Sequence, residues 1–242
     1  MQLDEKSITL DRNGREMPVY VSAPSGSGAP LPGVIVIHEI FGLNDHIKDI
    51  SRRFSREGFV AFAPDLFDGH DGVPTDKNDL GAMRECWSKI PDATFVADLQ
   101  ALMDLAQADE RVQGDNIGVI GYCMGGAMGF MFAASTPSVA WCADYYGRIK
   151  YPELTAAKAK HPIDYSETLK CPVIGLFSGQ DELIPPAHVQ ELEQRVKAKG
   201  VRSDFKIYDD AKHAFFNDTR DFYNEKAAKD AWQRTLNFVS KS

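Results

Sequence analysis

The stretch Gly121-Tyr122-Cys123-Met124-Gly125-Gly126, GYCMGG in one-letter code, decides the fold. It follows the apolar run IGVIGY and leads into a helical run, so it is a turn from a strand into a helix. A G-x-C-x-G sequence in that setting is the nucleophile-elbow pattern G-x-S-x-G with cysteine in the serine position. The chemistry needs those residue types. The nucleophile sits in a strained turn whose close neighbours carry no side chains, and the start of the following helix favours negative charge on the sulfur. Neither G-x-G-x-x-G nor G-x-x-x-x-G-K-[ST] can be written over these residues, which excludes a dinucleotide or phosphate loop. The remaining cysteines, Cys86, Cys142 and Cys171, read as packing side chains, the usual fate of a thiol in an apolar run.

Working outward, short apolar strands alternate with amphipathic helices. VIVIH is followed by DHIKDISRRFSREG, then VAFAPD, a polar connection, and DATFVADLQALMDLAQA. Beyond the elbow come AWCADYYG, VIGLFSG, AHVQELEQRVKAKG, DFKIYDD and a helix near Lys226 to Val239. Strands apolar throughout, separated by helices, predict a mostly parallel doubly wound α/β sheet with helices on both faces. Ahead of it, SITL and PVYVS around Asn13-Gly14 predict an antiparallel N-terminal hairpin. The Ser, Gly and Pro-rich segment from Ala23 to Gly33 is a loop, and the 242 residues form one domain. The long connections, Leu66 to Asp79 and Arg148 to Lys170, are where a lid or pocket walls are expected.

Composition removes several classes of function. Lys and Arg number 27 against 35 Asp and Glu, a net charge of -8 with the signs interspersed, so nucleic acid and anionic membrane are not expected partners. MQLDEKSITL has no apolar signal core, and no run of about 18 apolar residues marks a membrane span; the cytoplasm is the expected location. The four cysteines show neither disulfide nor zinc spacing, and no metal or organic cofactor is expected.

A sheet of this kind gathers the residues beyond its strands' carboxyl ends into one crevice. A nucleophile at Cys123 needs a base and an acid, which in this architecture follow in the order acid, then histidine. Asp181, after VIGLFSGQ, and His213, after DFKIYDDAK, meet that order. His213 would take the thiol proton and Asp181 would fix its tautomer. His46, His70, His161 and His188 read as surface or packing residues; His38, beside the proposed pocket, is ambiguous.

With HEIFGLN, PDLF, GYCMGGA, YYG, GQD and the H-x-F at His213, nearly the whole chain resembles the dienelactone hydrolase family, cysteine members of the α/β-hydrolase fold. The resemblance implies an enzyme opening lactones or cleaving small activated carboxylic esters through a Cys123 acyl intermediate. It also implies that Glu39 holds the resting thiol and deprotonates it once substrate displaces the carboxylate. A carboxylate in a dry pocket has the raised proton affinity such a role requires. The oxyanion would be held by the backbone N–H groups of Ile40 and Met124.

Two arginines that grip the substrate carboxylate in the family fall at Leu80 and Asn217 of this chain. Arg84 and Arg148 are the candidates to stand in for them, and Phe41, Trp87, Tyr145, Tyr146 and Phe215 the candidates for apolar walls. The missing pair motivates an alternative, a broad carboxylesterase or thioesterase; a small-molecule-binding homologue without turnover is a third reading. A monomer or small homo-oligomer is expected.

Overall fold

The computed structural model describes residues 1–12 and 14–241. Its eight strands form one sheet in the order β1-β2-β4-β3-β5-β6-β7-β8, with β1 Leu3–Asp11, β2 Glu16–Pro24, β3 Leu31–Ile37, β4 Val60–Pro64, β5 Val112–Tyr122, β6 Cys142–Tyr145, β7 Val173–Ser178 and β8 Ser203–Tyr208. β1 pairs antiparallel with β2 and β2 with β4; every later pairing is parallel. This is the doubly wound sheet expected, with its antiparallel start. Of the turn expected there, Asn13 lies outside the described residues.

The helices are α1 Asp45–Arg56, α2 Leu80–Lys89, α3 Asp92–Gln107, α4 Met124–Ser135, α5 Pro186–Ala198 and α6 Glu225–Val239. Three starts are chemically marked: side chains of Asn44, Asp79 and Asn224 accept from the N–H groups of Ile47, Ala82 and Ala227 at α1, α2 and α6, the cap that satisfies an otherwise orphaned donor. α2 was not foreseen. Only Met83 and Cys86 are buried on it, too few apolar positions to show a helical period.

The two faces of the sheet can be told apart at β6. Tyr145 points to α6, its hydroxyl 2.8 Å from Thr235 Oγ1, whereas Asp144 lies against Gly126 at the start of α4. Just ahead of β6, Trp141 shares the Tyr145 face and stacks on Phe54 of α1 at 6.4 Å; Phe54 in turn meets Trp232 of α6 at 4.8 Å. Hence α1 and α6 cover one face, α3 and α4 the other. The indole of Trp141 lies so close over β5 that a Cβ on Gly118 would fall 1.9 Å from it. Phe54, Trp141 and Tyr145 are fully buried; truncating a core aromatic of this kind to alanine costs about 3 to 5 kcal/mol.

Candidate active site

β5 ends at Tyr122 and α4 starts at Met124, leaving Cys123 alone at φ 56°, ψ −115°. The neighbouring glycines make that turn possible. A Cβ on Gly121 would meet the Gly125 carbonyl oxygen at 1.9 Å, and one on Gly125 would meet the His38 and Ile37 carbonyl oxygens at 2.5 and 2.6 Å. α4 therefore begins pressed against the end of β3, where Glu39 and Ile40 follow. Cys123 N–H donates to the Tyr145 carbonyl at 3.0 Å, fixing the elbow to β6.

Among the described residues, three non-glycine residues have positive φ, and each flanks this site: Cys123 at 56°, Tyr146 at 43° and Ala214 at 64°. A left-handed conformation costs a non-glycine residue roughly 1 to 2 kcal/mol. The strain falls on the nucleophile candidate, on the residue after β6, and on the residue after His213.

His213 Nε2 lies 3.0 Å from Cys123 Sγ, and its Nδ1 lies 2.6 Å from Asp181 Oδ2. A carboxylate only accepts, so Nδ1 carries a proton and Nε2 is the nitrogen that exchanges one with sulfur. Asp181 Oδ1 accepts the Leu183 N–H at 2.8 Å, which holds the carboxylate in position. Burial pulls the His213 imidazolium down, but the facing sulfur and Asp181 outweigh it and push the group up to about 10. The His213 side chain remains 23% exposed, so the pair opens outward to solvent.

Glu39 is 2% exposed. Its Oε2 accepts from Asn217 Nδ2 at 2.6 Å, and its Oε1 lies 3.5 Å from the Tyr146 hydroxyl. Burial raises this carboxyl above the ordinary carboxylate range, against the pull of Asn217, His213, Arg220 and Tyr146. Among the described residues, neither the Ile40 nor the Met124 N–H donates to a backbone carbonyl outside its own element. His38 is ambiguous no longer. Its Nδ1 lies 2.5 Å from the Glu39 carbonyl and its Nε2 accepts the Leu66 N–H at 2.9 Å, so it ties two loops together as a neutral ring whose charging burial opposes.

The expected pocket residues divide. Phe41 is half-buried, with the Arg220 guanidinium 4.2 Å above its ring. Arg148 is half-buried; burial lowers its guanidinium, against the opposite pull of its acidic neighbour Asp181. Arg84 itself is exposed on α2.

Tyr145 and Phe215 are corrections. Both are fully buried, Tyr145 because the alternation of β6 turns it toward α6, and Phe215 because its ring packs 5.3 Å from Tyr146 and 5.1 Å from Tyr208. Neither offers a wall to a ligand. Tyr146, also buried, backs the His213 ring at 5.2 Å instead. Trp87 is engaged with Lys158, whose Nζ lies 4.9 Å over its ring, and with Tyr151 at 5.9 Å. Arg220 escaped the sequence reading, although it is the sole cation between His213 and Asn224. Among the described residues no group of three or more His, Cys, Asp or Glu side chains is placed to hold a metal ion.

An eight-stranded, mostly parallel sheet carrying a cysteine on a strained strand-to-helix turn, with histidine and aspartate on later loops, defines an α/β-hydrolase fold. The model of the dienelactone hydrolase family matches residues 17–242, and the chain belongs to that family. It is a hydrolase of the class acting on carboxylic esters and lactones. It is 36% identical over 236 residues to a Salmonella typhi protein named "Putative carboxymethylenebutenolidase", covering 96% of this chain and 86% of that protein. An Escherichia coli K12 protein of the same name is 35% identical over 236 residues, covering 96% and 85%. The crystal structure of a Klebsiella pneumoniae protein, "Putative Dienelactone Hydrolase", superposes with a TM-score of 0.93 at 33% identity over all of both chains.

Proposed function

We propose that the protein hydrolyses small activated esters, lactones foremost, through an acyl intermediate on Cys123. The observation that carries this reading is the Cys123, His213, Asp181 chain of contacts at 3.0 and 2.6 Å on the strand-to-helix elbow. Sulfur attacks the acyl carbon, and the carbonyl π electrons move onto an oxygen received by the Ile40 and Met124 N–H groups. Collapse of that adduct breaks the acyl C–O bond, and the departing oxygen takes the proton held at His213 Nε2. In a lactone the departing oxygen stays on the same molecule. Water then attacks the thioester, its proton passing to His213, and the carboxylic acid leaves with the sulfur restored.

Glu39 acts as the second proton acceptor for the thiol, a role supported by its burial and raised proton affinity. A substrate carboxylate would be met by Arg148, with Arg84 and Arg220 nearest in charge and placement; Phe41 and Trp87 supply apolar surface. A free nucleophilic thiol suits the reducing cytoplasm.

A second reading, a broad carboxylesterase or thioesterase, is favoured by Leu80 and Asn217, neutral where the resembled family carries arginines. p-Nitrophenyl acetate hydrolysis and mass spectrometry of the acyl adduct test the mechanism. Cys123→Ala is expected to lose at least about a thousandfold in kcat; wild-type rates in that variant would eliminate it. Comparing anionic lactones with neutral esters separates the two readings, because a clear preference for neutral acyl groups removes the dienelactone assignment.

A further inference from the structure

The Glu39 carboxylate does not rest on sulfur. It is turned toward Asn217, and the way that amide is held points to a function for it. Asn217 Oδ1 accepts from both the N–H and the hydroxyl of Thr219, at 3.0 and 2.7 Å. Only the NH2 end is left to face Glu39, and it does so at 2.6 Å. The two Thr219 donors thus settle the amide's orientation, which can be ambiguous where partners are few.

The backbone under the amide is fixed as well. Asn217 N–H donates to the Ala214 carbonyl at 3.0 Å. The next residue, Asp218, is held from α1 by His46 Nδ1 at 3.2 Å and by Arg53 Nη2 at 2.7 Å. Asn217 is 1% exposed, so water does not compete for its hydrogen bond. An amide also carries no charge. It can hold a carboxylate without cancelling its charge, and it has no net charge with which to grip a substrate anion.

We propose that Asn217 is a positioning residue whose amide keeps Glu39 docked away from Cys123 in the resting enzyme, leaving the sulfur to share its proton with His213. The proposal rests on the reading of Cys123 as the nucleophile and deepens it. Without its bond to Asn217 the carboxylate would be free to turn to the thiol, accept its hydrogen bond and oppose negative charge on sulfur. Asn217, Tyr146, Tyr122, His213 and Arg220 act on Glu39 from the surrounding elements, and His213, Tyr146 and Arg148 act on Cys123. Of these, only Asn217 is both neutral and hydrogen-bonded to the carboxylate at short range.

The test is the pH dependence of Cys123 alkylation by iodoacetamide, which requires no turnover. In Asn217→Ala the pH of half-maximal rate is expected to rise by about one unit, a roughly tenfold slower reaction on the acid side. Adding Glu39→Gln should restore the wild-type profile, because the replacement side chain carries no charge to oppose the sulfur. A merely structural effect of losing the amide would survive in the double variant. Thr219→Ala, at an exposed position, should shift the profile the same way by less, and serves if Asn217→Ala does not fold. An unchanged profile in both single variants, or a shift that persists beside Glu39→Gln, overturns the proposal. If the profile shifts as expected but no ester is turned over, the positioning role stands and the assigned reaction falls.

Discussion

Two buried clusters of charge in this protein differ in one respect. In the first, Lys158 Nζ donates to Asp92 Oδ1 at 2.6 Å and to the Ile90 carbonyl at 2.9 Å, while Tyr151 donates to Asp92 Oδ2 at 2.9 Å. The aromatic rings of Trp87, Phe95 and Tyr151 surround the ammonium. Each charge is matched and both residues are buried. In the second, Asp181 and His213 are matched in the same way, but the last member is a half-buried sulfur with no charged partner beyond His213 in direct contact among the described residues. A fully partnered cluster can only hold its elements together. Here it pins the long connection from Arg148 to Lys170 onto the junction of α2 and α3. A cluster that ends on a half-buried, polarisable atom keeps something to give to a ligand.

The largest effect that would sharpen this contrast is on rate. Asp181→Asn removes the carboxylate that keeps the proton on Nδ1, and kcat for p-nitrophenyl acetate should fall roughly ten-thousandfold with the urea midpoint little changed. Next comes a loss of stability. Lys158→Met leaves Asp92 buried and unpaired, and should cost about 3 to 5 kcal/mol in urea unfolding while kcat per folded molecule stays within a few-fold. A variant that kept its stability but lost activity would reverse the roles assigned to the two clusters.

The smallest effect is a pH trend. His213 is raised from 6.5 to about 10 in the folded protein, so it binds its proton more tightly folded than unfolded. Its contribution is fully present below about pH 6.5 and is lost as pH climbs through about 10. The stability advantage of wild type over His213→Gln should therefore shrink across that window, as read from urea midpoints. An advantage that grew with pH would contradict the ion pair.

The sequence announced the elements that bury a whole face and the residues that end strands. Cys123, Asp181 and His213 could be found because each follows an apolar run, and the sheet delivers such positions to one crevice. Sidedness was harder. Residue type made Tyr145 a plausible wall, but only the alternation along β6 sends it to α6 and its neighbour Asp144 to α4. α2 was hidden by its two buried side chains. Lys158 sits in a segment with no period, where nothing marks a lysine whose partners lie on two other elements. Asn217 reads in sequence only as a missing cation; the Asx turn it makes with Thr219 is local, but its bond to Glu39 joins residues 178 positions apart, which no local pattern reveals.

The elbow's glycines have a consequence for inheritance. A side chain at Gly121 or Gly125 would collide with main-chain oxygen at 1.9 and 2.5 Å, and backbone cannot rotate aside as a flexible side chain can. The position of Cys123 is different, since its strain belongs to φ, 56°, and is the same whichever atom lies beyond Cβ. Descendants of this gene can thus exchange sulfur for oxygen at residue 123 in a single codon step without reshaping the scaffold, whereas the two flanking positions offer selection almost nothing to choose from.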